Sequence, residues 1–96
     1  MLHLVYQSPI HVQLLARISA GDDVLFLSTA CLDLLQNSLF SQHLSAYAAP
    51  INCYALADDI AERGLVSTAL NPAITLISYT EWVALSVKNT TIFSWN

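Results

Sequence analysis

The chain has 96 residues, a formal net charge of −4, 55% apolar residues and only 10% charged ones, against about 25% charged in an ordinary globular protein. So apolar a composition, with mean hydropathy +0.53, excludes intrinsic disorder. Three basic residues (Arg17, Arg63 and Lys88) are too few for phosphate-driven, sequence-reading binding of nucleic acid.

One domain over residues 1–96 is predicted, with a folded surface of roughly 5,400 Å² and about 64% of the unfolded chain's area buried. One core of that size cannot hide 55% apolar residues, so the excess points to a membrane or to other subunits. A membrane is not expected. Spanning needs about 20 consecutive apolar residues, and apolar runs here such as 24–27 and 74–77 are far shorter. No basic stretch precedes an apolar one, so no signal peptide is expected either. Oligomerisation is the reading that remains.

In chain order, residues 2–6 predict a strand buried on both faces. Ser8 and Pro9 then suit a helix start, and Ile10, Leu14, Leu15 and Ile18 fall on one helical face. Gly21 is the expected stop, and Asp22–Asp23 reads as a solvated turn. A second strand is predicted over 24–27, a short helix over 30–36, and a broken helix over 38–49 that Pro50 ends. A third strand follows at 51–56. The helix over 58–63 has Asp near its start and Arg in its last turn, both favourable to its dipole, and Gly64 ends it. Asn71–Pro72 is a turn and 74–77 a fourth strand. Ser78-x-x-Glu81 is a capping box that opens a helix to about Lys88, and 91–95 suits a final strand. This order predicts an α/β fold: a mainly parallel sheet of four to five strands flanked by helices.

The residues offer little catalytic chemistry. Cys31 lies after the second strand, at the carboxyl end where open parallel sheets bind ligands, and at the start of a predicted helix, which lowers a thiol's pKa. It is the one candidate nucleophile. Against that, no Lys, Arg or His neighbours it in sequence, and a small hydrophobe at a packed junction would look the same. Cys53, mid-strand, reads as core. The two cysteines form no CxxC pair, and no His or Cys sits near either at metal-ligand spacing, so neither a metal site nor a disulfide is expected. His3, His11 and His43 form no metal-binding or catalytic spacing. Asp22–Asp23 and Asp58–Asp59 read as solvation and dipole capping. Two glycines cannot build a phosphate-binding loop, Ser28–Thr29 lacks a nucleophile elbow, and no cofactor is expected. Tyr79, Trp82, Phe93 and Trp95 put four of the nine aromatics in the last eighteen residues, which suits an interface and a small core equally.

Laid end to end, these segments resemble the TusB/DsrH family of small sulfur-relay subunits. The resemblance runs the length of the chain: Met1-Leu2-His3, Ser8-Pro9, Gly21-Asp22, Tyr54-Ala55-Leu56, Ala61-x-Arg63-Gly64-Leu65, Tyr79-Thr80, Val87-Lys88 and Trp95. It implies the DsrE/F/H-like fold and a cytoplasmic heterohexamer, with two copies each of this subunit and of TusC-like and TusD-like partners. Such a complex takes persulfide sulfur from a TusA-like carrier and passes it to a TusE-like protein, towards 2-thiolation of the tRNA wobble uridine.

In the family the essential persulfide cysteine belongs to another subunit. Some DsrH-type members carry one near the first helix, where residues 8–21 of this chain hold none. Many relatives have an acidic-Gly pair after the second strand, where Ser28-Thr29-Ala30 stands here, so Cys31 inherits no family role. The resemblance thus implies a structural rather than catalytic subunit, with no direct contact to nucleic acid. The alternatives are a persulfide carrier using Cys31, and a DsrH-type subunit of dissimilatory sulfur oxidation.

Overall fold

The structure is a computed structural model that describes residues 1–47 and 50–95. Its strands are β1 (Leu2–Val5), β2 (Asp23–Phe26), β3 (Asn52–Leu56), β4 (Ile74–Ile77) and β5 (Ile92–Trp95). They form one sheet in the order β4-β3-β2-β1-β5, with every neighbouring pair parallel. The chain thus builds outward from β1 to β4 and then returns to add β5 on β1's other side. The expected α/β architecture is what forms, with five strands.

Burial follows position in the sheet. β1 and β2 are buried at every residue, whereas the edge strands β4 and β5 are largely open. The two faces are covered unequally. On one face Val5, Val24, Phe26, Cys53 and Ala55 meet most of the helical segments. These are α1 (Gln13–Ala16), a 3₁₀ helix (Ser28–Leu34), α2 (Leu39–Ala46) and α3 (Ala57–Glu62). On the other face Leu2, Leu4, Leu25, Leu27, Leu56 and Ile77 pack against Trp82 and Leu85 of α4 (Tyr79–Lys88). The folded surface is 5389 Å², what the scaling law gives for a monomer of this mass.

Helix α4 starts as its sequence requires. The Ser78 hydroxyl accepts from the Glu81 amide at 3.2 Å, and the Glu81 carboxylate accepts from the Ser78 amide at 3.0 Å. The first helix is different. Ile10, Leu14, Leu15 and Ile18 are all buried as their spacing predicts, but only Gln13–Ala16 is α-helical. Ser8 does not cap it: its hydroxyl donates to Asp33 at 2.8 Å, and the Ile10 amide donates to the same carboxylate at 2.6 Å. Tertiary hydrogen bonds thus hold residues 8–10 out of the helix.

The helix expected at 30–36 is a 3₁₀ helix that begins earlier, at Ser28. The segment expected at 38–49 contains α2, with the Ser38 hydroxyl accepting from the Ser41 amide at 3.0 Å. Residues 48 and 49 of that expectation lie outside the described residues. A second 3₁₀ turn, Ser67–Ala69, was not legible in the sequence.

Candidate functional site

The carboxyl ends of parallel strands are where this architecture places ligands. Above β1, β2 and β3, that end is closed by a polar network of the chain's own making. Ser28, just after β2, has φ of +54°, a region costly for any residue but glycine. Its amide donates to Asp59 Oδ2 at 2.7 Å, and Arg63 donates to the Ser28 hydroxyl at 3.3 Å and to the Asp59 carbonyl at 3.2 Å. Next to it Thr29 accepts from the Ser8 amide at 3.2 Å and donates to the Tyr6 carbonyl at 3.3 Å. Asp33 then ties down Ser8 and Ile10.

Cys31 lies beneath this lattice with no exposed surface. Its thiol faces the Phe26 carbonyl at 3.6 Å. Burial, and then the Asp59 carboxylate, push its pKa up to about 11, against a smaller opposing effect of Arg63. A thiol so placed stays protonated at neutral pH and is a poor nucleophile. Helix-end activation does not reach it, because it stands inside the 3₁₀ helix rather than at its start. Cys53 is also buried and free, its pKa raised to about 11 by burial.

A second polar cluster occupies the amino end of the sheet, and here the sequence reading of Asp22–Asp23 as a solvated turn is corrected. Asp23 is the first residue of β2 and only 1% exposed. Its carboxylate accepts from Asn52 at 3.0 Å, Asn89 at 3.0 Å and Lys88 at 3.2 Å. Burial raises its pKa, but the bonds from Asn89, Asn52 and Lys88 outweigh burial and hold the carboxyl below its ordinary value. Asp22 accepts from the Ser19 amide at 3.0 Å and pairs with His3 Nε2 at 2.9 Å. Burial raises its pKa too, and the bonds from His3 and Ser19 and the charged amine at Met1 prevail and lower it. The second pair of aspartates divides: Asp59 ties the Ser28 turn, and Asp58 lies exposed in the first turn of α3.

His3 is 2% exposed and bonded on both nitrogens, to Asp22 and to Trp95. His11 and His43 are exposed. Among the described residues no group of three His, Cys, Asp or Glu could hold a metal. Nor is any helix there long and apolar enough to cross a membrane. The terminal aromatics divide as their types allow: Trp95 packs on the core and Trp82 under α4, while Tyr79 and Phe93 stay exposed.

At the point where strand order reverses, between β1 and β5, a cleft of about 330 Å³ opens, bordered by Gln7, Ile10, His11, Leu14, Arg17 and Trp95. Arg17 lies 6.0 Å from the Trp95 ring centroid. Among the described residues, no Cys, Ser or Thr borders the cleft.

A model of the DsrH-like protein family matches residues 6–92. Protein TusB of Erwinia tasmaniensis is 36% identical over 98 residues, covering 99% of this chain and 100% of that protein. The chain belongs to the TusB/DsrH family. Two further TusB/DsrH relatives, with the same coverage, are Protein TusB of Escherichia coli K12 at 35% identity and of Buchnera aphidicola at 31%. The fold is also that of a solved Methanobacterium thermoautotrophicum protein of unknown function. The TM-score to it is 0.74 at 16% identity, over 98% of this chain and 96% of that one.

Proposed function

We propose that this chain is a structural subunit of a cytoplasmic sulfur-relay complex that passes persulfide sulfur towards 2-thiolation of the tRNA wobble uridine. Its partners are TusC-like and TusD-like subunits in a heterohexamer, which meets TusA-like and TusE-like carriers. Full-length similarity to proteins named TusB supports the relay.

The observation that carries the structural role is the burial of both thiols. A relay cysteine must meet a donor's persulfide sulfur and then an acceptor's thiolate. Cys31 has no exposed surface, Cys53 is 5% exposed, and both have pKa values raised to about 11. A persulfide carrier using Cys31 would first have to open the Ser28–Asp59–Arg63 network. The net charge of −4 agrees with contact to tRNA being made elsewhere in the complex.

The test is in cells lacking this subunit, complemented with Cys31→Ser. Wobble 2-thiouridine, measured by mass spectrometry of hydrolysed tRNA, is restored to nearly the wild-type level. Loss of the modification, with the variant subunit present at normal abundance, overturns the structural role. Normal 2-thiouridine in cells without the subunit, together with impaired sulfur oxidation, assigns the chain to that pathway instead.

A further inference from the structure

The two faces of the sheet are finished differently. One is roofed by several helical segments, while α4 alone among the described helices packs on the other. The outward side of α4 is then unusual for a surface helix, which ordinarily presents charge. Tyr79, Val83 and Val87, four residues apart, are 63%, 52% and 82% exposed. At 100° per residue, the arc of α4 from Trp82 through Tyr79, Val83 and Val87 to Ala84 contains no charge. Glu81 and Lys88 project on the opposite flank, around the shallow depression beside Tyr54.

Beside this stripe runs a groove of about 380 Å³ bordered by Leu4, Trp82, Val83, Ser86 and Val87, with Tyr79 at one end. The Tyr79 ring stands against Trp82 edge to face at 5.2 Å, so the projecting ring is held in place before any partner arrives.

We propose that this face is an isologous interface: a second copy of this chain packs its α4 against this α4, with the two-fold axis at Val83. The stripe is complementary to itself. A two-fold at Val83 brings the Tyr79 ring of each copy to the Val87 end of the other's groove, which has room for a phenol side chain. Rows of residues four apart pack against their like at a crossing of about −50°. The contact buries no charge, so it carries no desolvation penalty for an ion. The Ser86 hydroxyl donates within its own helix to the Trp82 carbonyl at 3.1 Å, which leaves it able to accept from a tyrosine hydroxyl entering the groove. Tyr79, Val83, Val87 and the neighbouring Ile92 expose on the order of 500 Å² of patch, the scale at which apolar surface marks an interaction site. The uncharged rim at Thr80 and Ala84 extends it towards the roughly 800 Å² per partner of a stable contact. An assembly holding two copies of this chain accommodates such an axis.

The experiment uses the full chain, alone and co-purified with any related subunits that it binds. Sedimentation equilibrium of the chain alone is expected to show a dimer, and Val83→Lys, which sets two like charges on the axis, to raise its dissociation constant at least a hundredfold. Val83→Cys is expected to join to itself through a short bis-maleimide in both preparations. Val66→Cys, equally open at 63% exposure but away from α4, is expected not to. Both native thiols are buried and leave the readout clean. A monomer at 100 µM that gives no self-linked Val83→Cys product overturns the proposal. So does a dimer indifferent to Val83→Lys, or Val83→Cys linking only to a different subunit.

Discussion

The indole Nε1 of Trp95 donates to Nδ1 of His3 at 3.1 Å. Because an indole nitrogen can only donate, Nδ1 must be the accepting, unprotonated nitrogen, and the ring's proton sits on Nε2. That nitrogen is 2.9 Å from Asp22 Oδ2. Two residues 92 positions apart thus set a tautomer and join the last strand to the loop before β2.

The neutral His3 ring is therefore expected as the Nε2–H tautomer in a long-range ¹⁵N–¹H correlation spectrum. Trp95→Phe keeps the ring packing but leaves Nδ1 without its donor, at a cost of about 1–2 kcal/mol in urea unfolding. An Nδ1–H signal in the wild-type protein would contradict the arrangement.

Asp23 is the buried carboxylate that ties α4 to the sheet. Its folded pKa is depressed, so its contribution is fully present above the unfolded value of about 3.9 and is lost as pH falls from there through the folded pKa. Asp23→Asn is expected to lower stability at pH 7 by about 2 kcal/mol and to flatten the decline below about pH 4. Lys88→Met, at a side chain that is 63% exposed, should cost under about 1 kcal/mol. Urea titrations at a series of pH values compare the three proteins.

Both cysteines are expected to be silent towards a thiol reagent in the native protein at pH 8, and to titrate fully in denaturant. Their burial and their pKa values near 11 give the reason. Cys31→Ala removes one buried sulfur and should cost about 1–2 kcal/mol. Rapid labelling of Cys31 in the folded chain would show that the Ser28 turn opens.

Ser28 holds a left-handed backbone, at φ +54°. Glycine there relieves the strain but loosens the unfolded chain and gives up the Arg63 bond, so Ser28→Gly should lie within about 0.5 kcal/mol of wild type. Ser28→Val, β-branched in a conformation that such residues avoid, should cost about 2 kcal/mol or more. Thermal unfolding ranks the two, and equal midpoints for them would rule out the turn as described.

Much of the architecture can be read along the chain because its causes are local. Alternating apolar runs and helical spacings mark the strands and most helices. The capping box at Ser78 and Glu81 marks the start of α4, and 74–77 is a strand as predicted. The first helix is the instructive exception. Its buried face was legible in Ile10, Leu14, Leu15 and Ile18, but its length was not, since Asp33, more than twenty residues on, takes the hydrogen bonds of Ser8 and Ile10. Family membership could be read from an ordered set of short matches along the whole chain, without any catalytic motif.

By itself, then, the sequence determined the α/β class, the order of its elements and the scarcity of charge. Each depends on what a residue is and on its near neighbours. Only the tertiary structure decided which polar residues matter. Asp23 reads as half of a solvated pair until Asn52, Lys88 and Asn89 converge on it. Cys31 reads as a nucleophile poised at a strand end until packing seals it beneath Ser28 and raises its pKa. Burial and hydrogen-bond partnership belong to groups that meet only when distant segments pack, and no local pattern encodes that meeting.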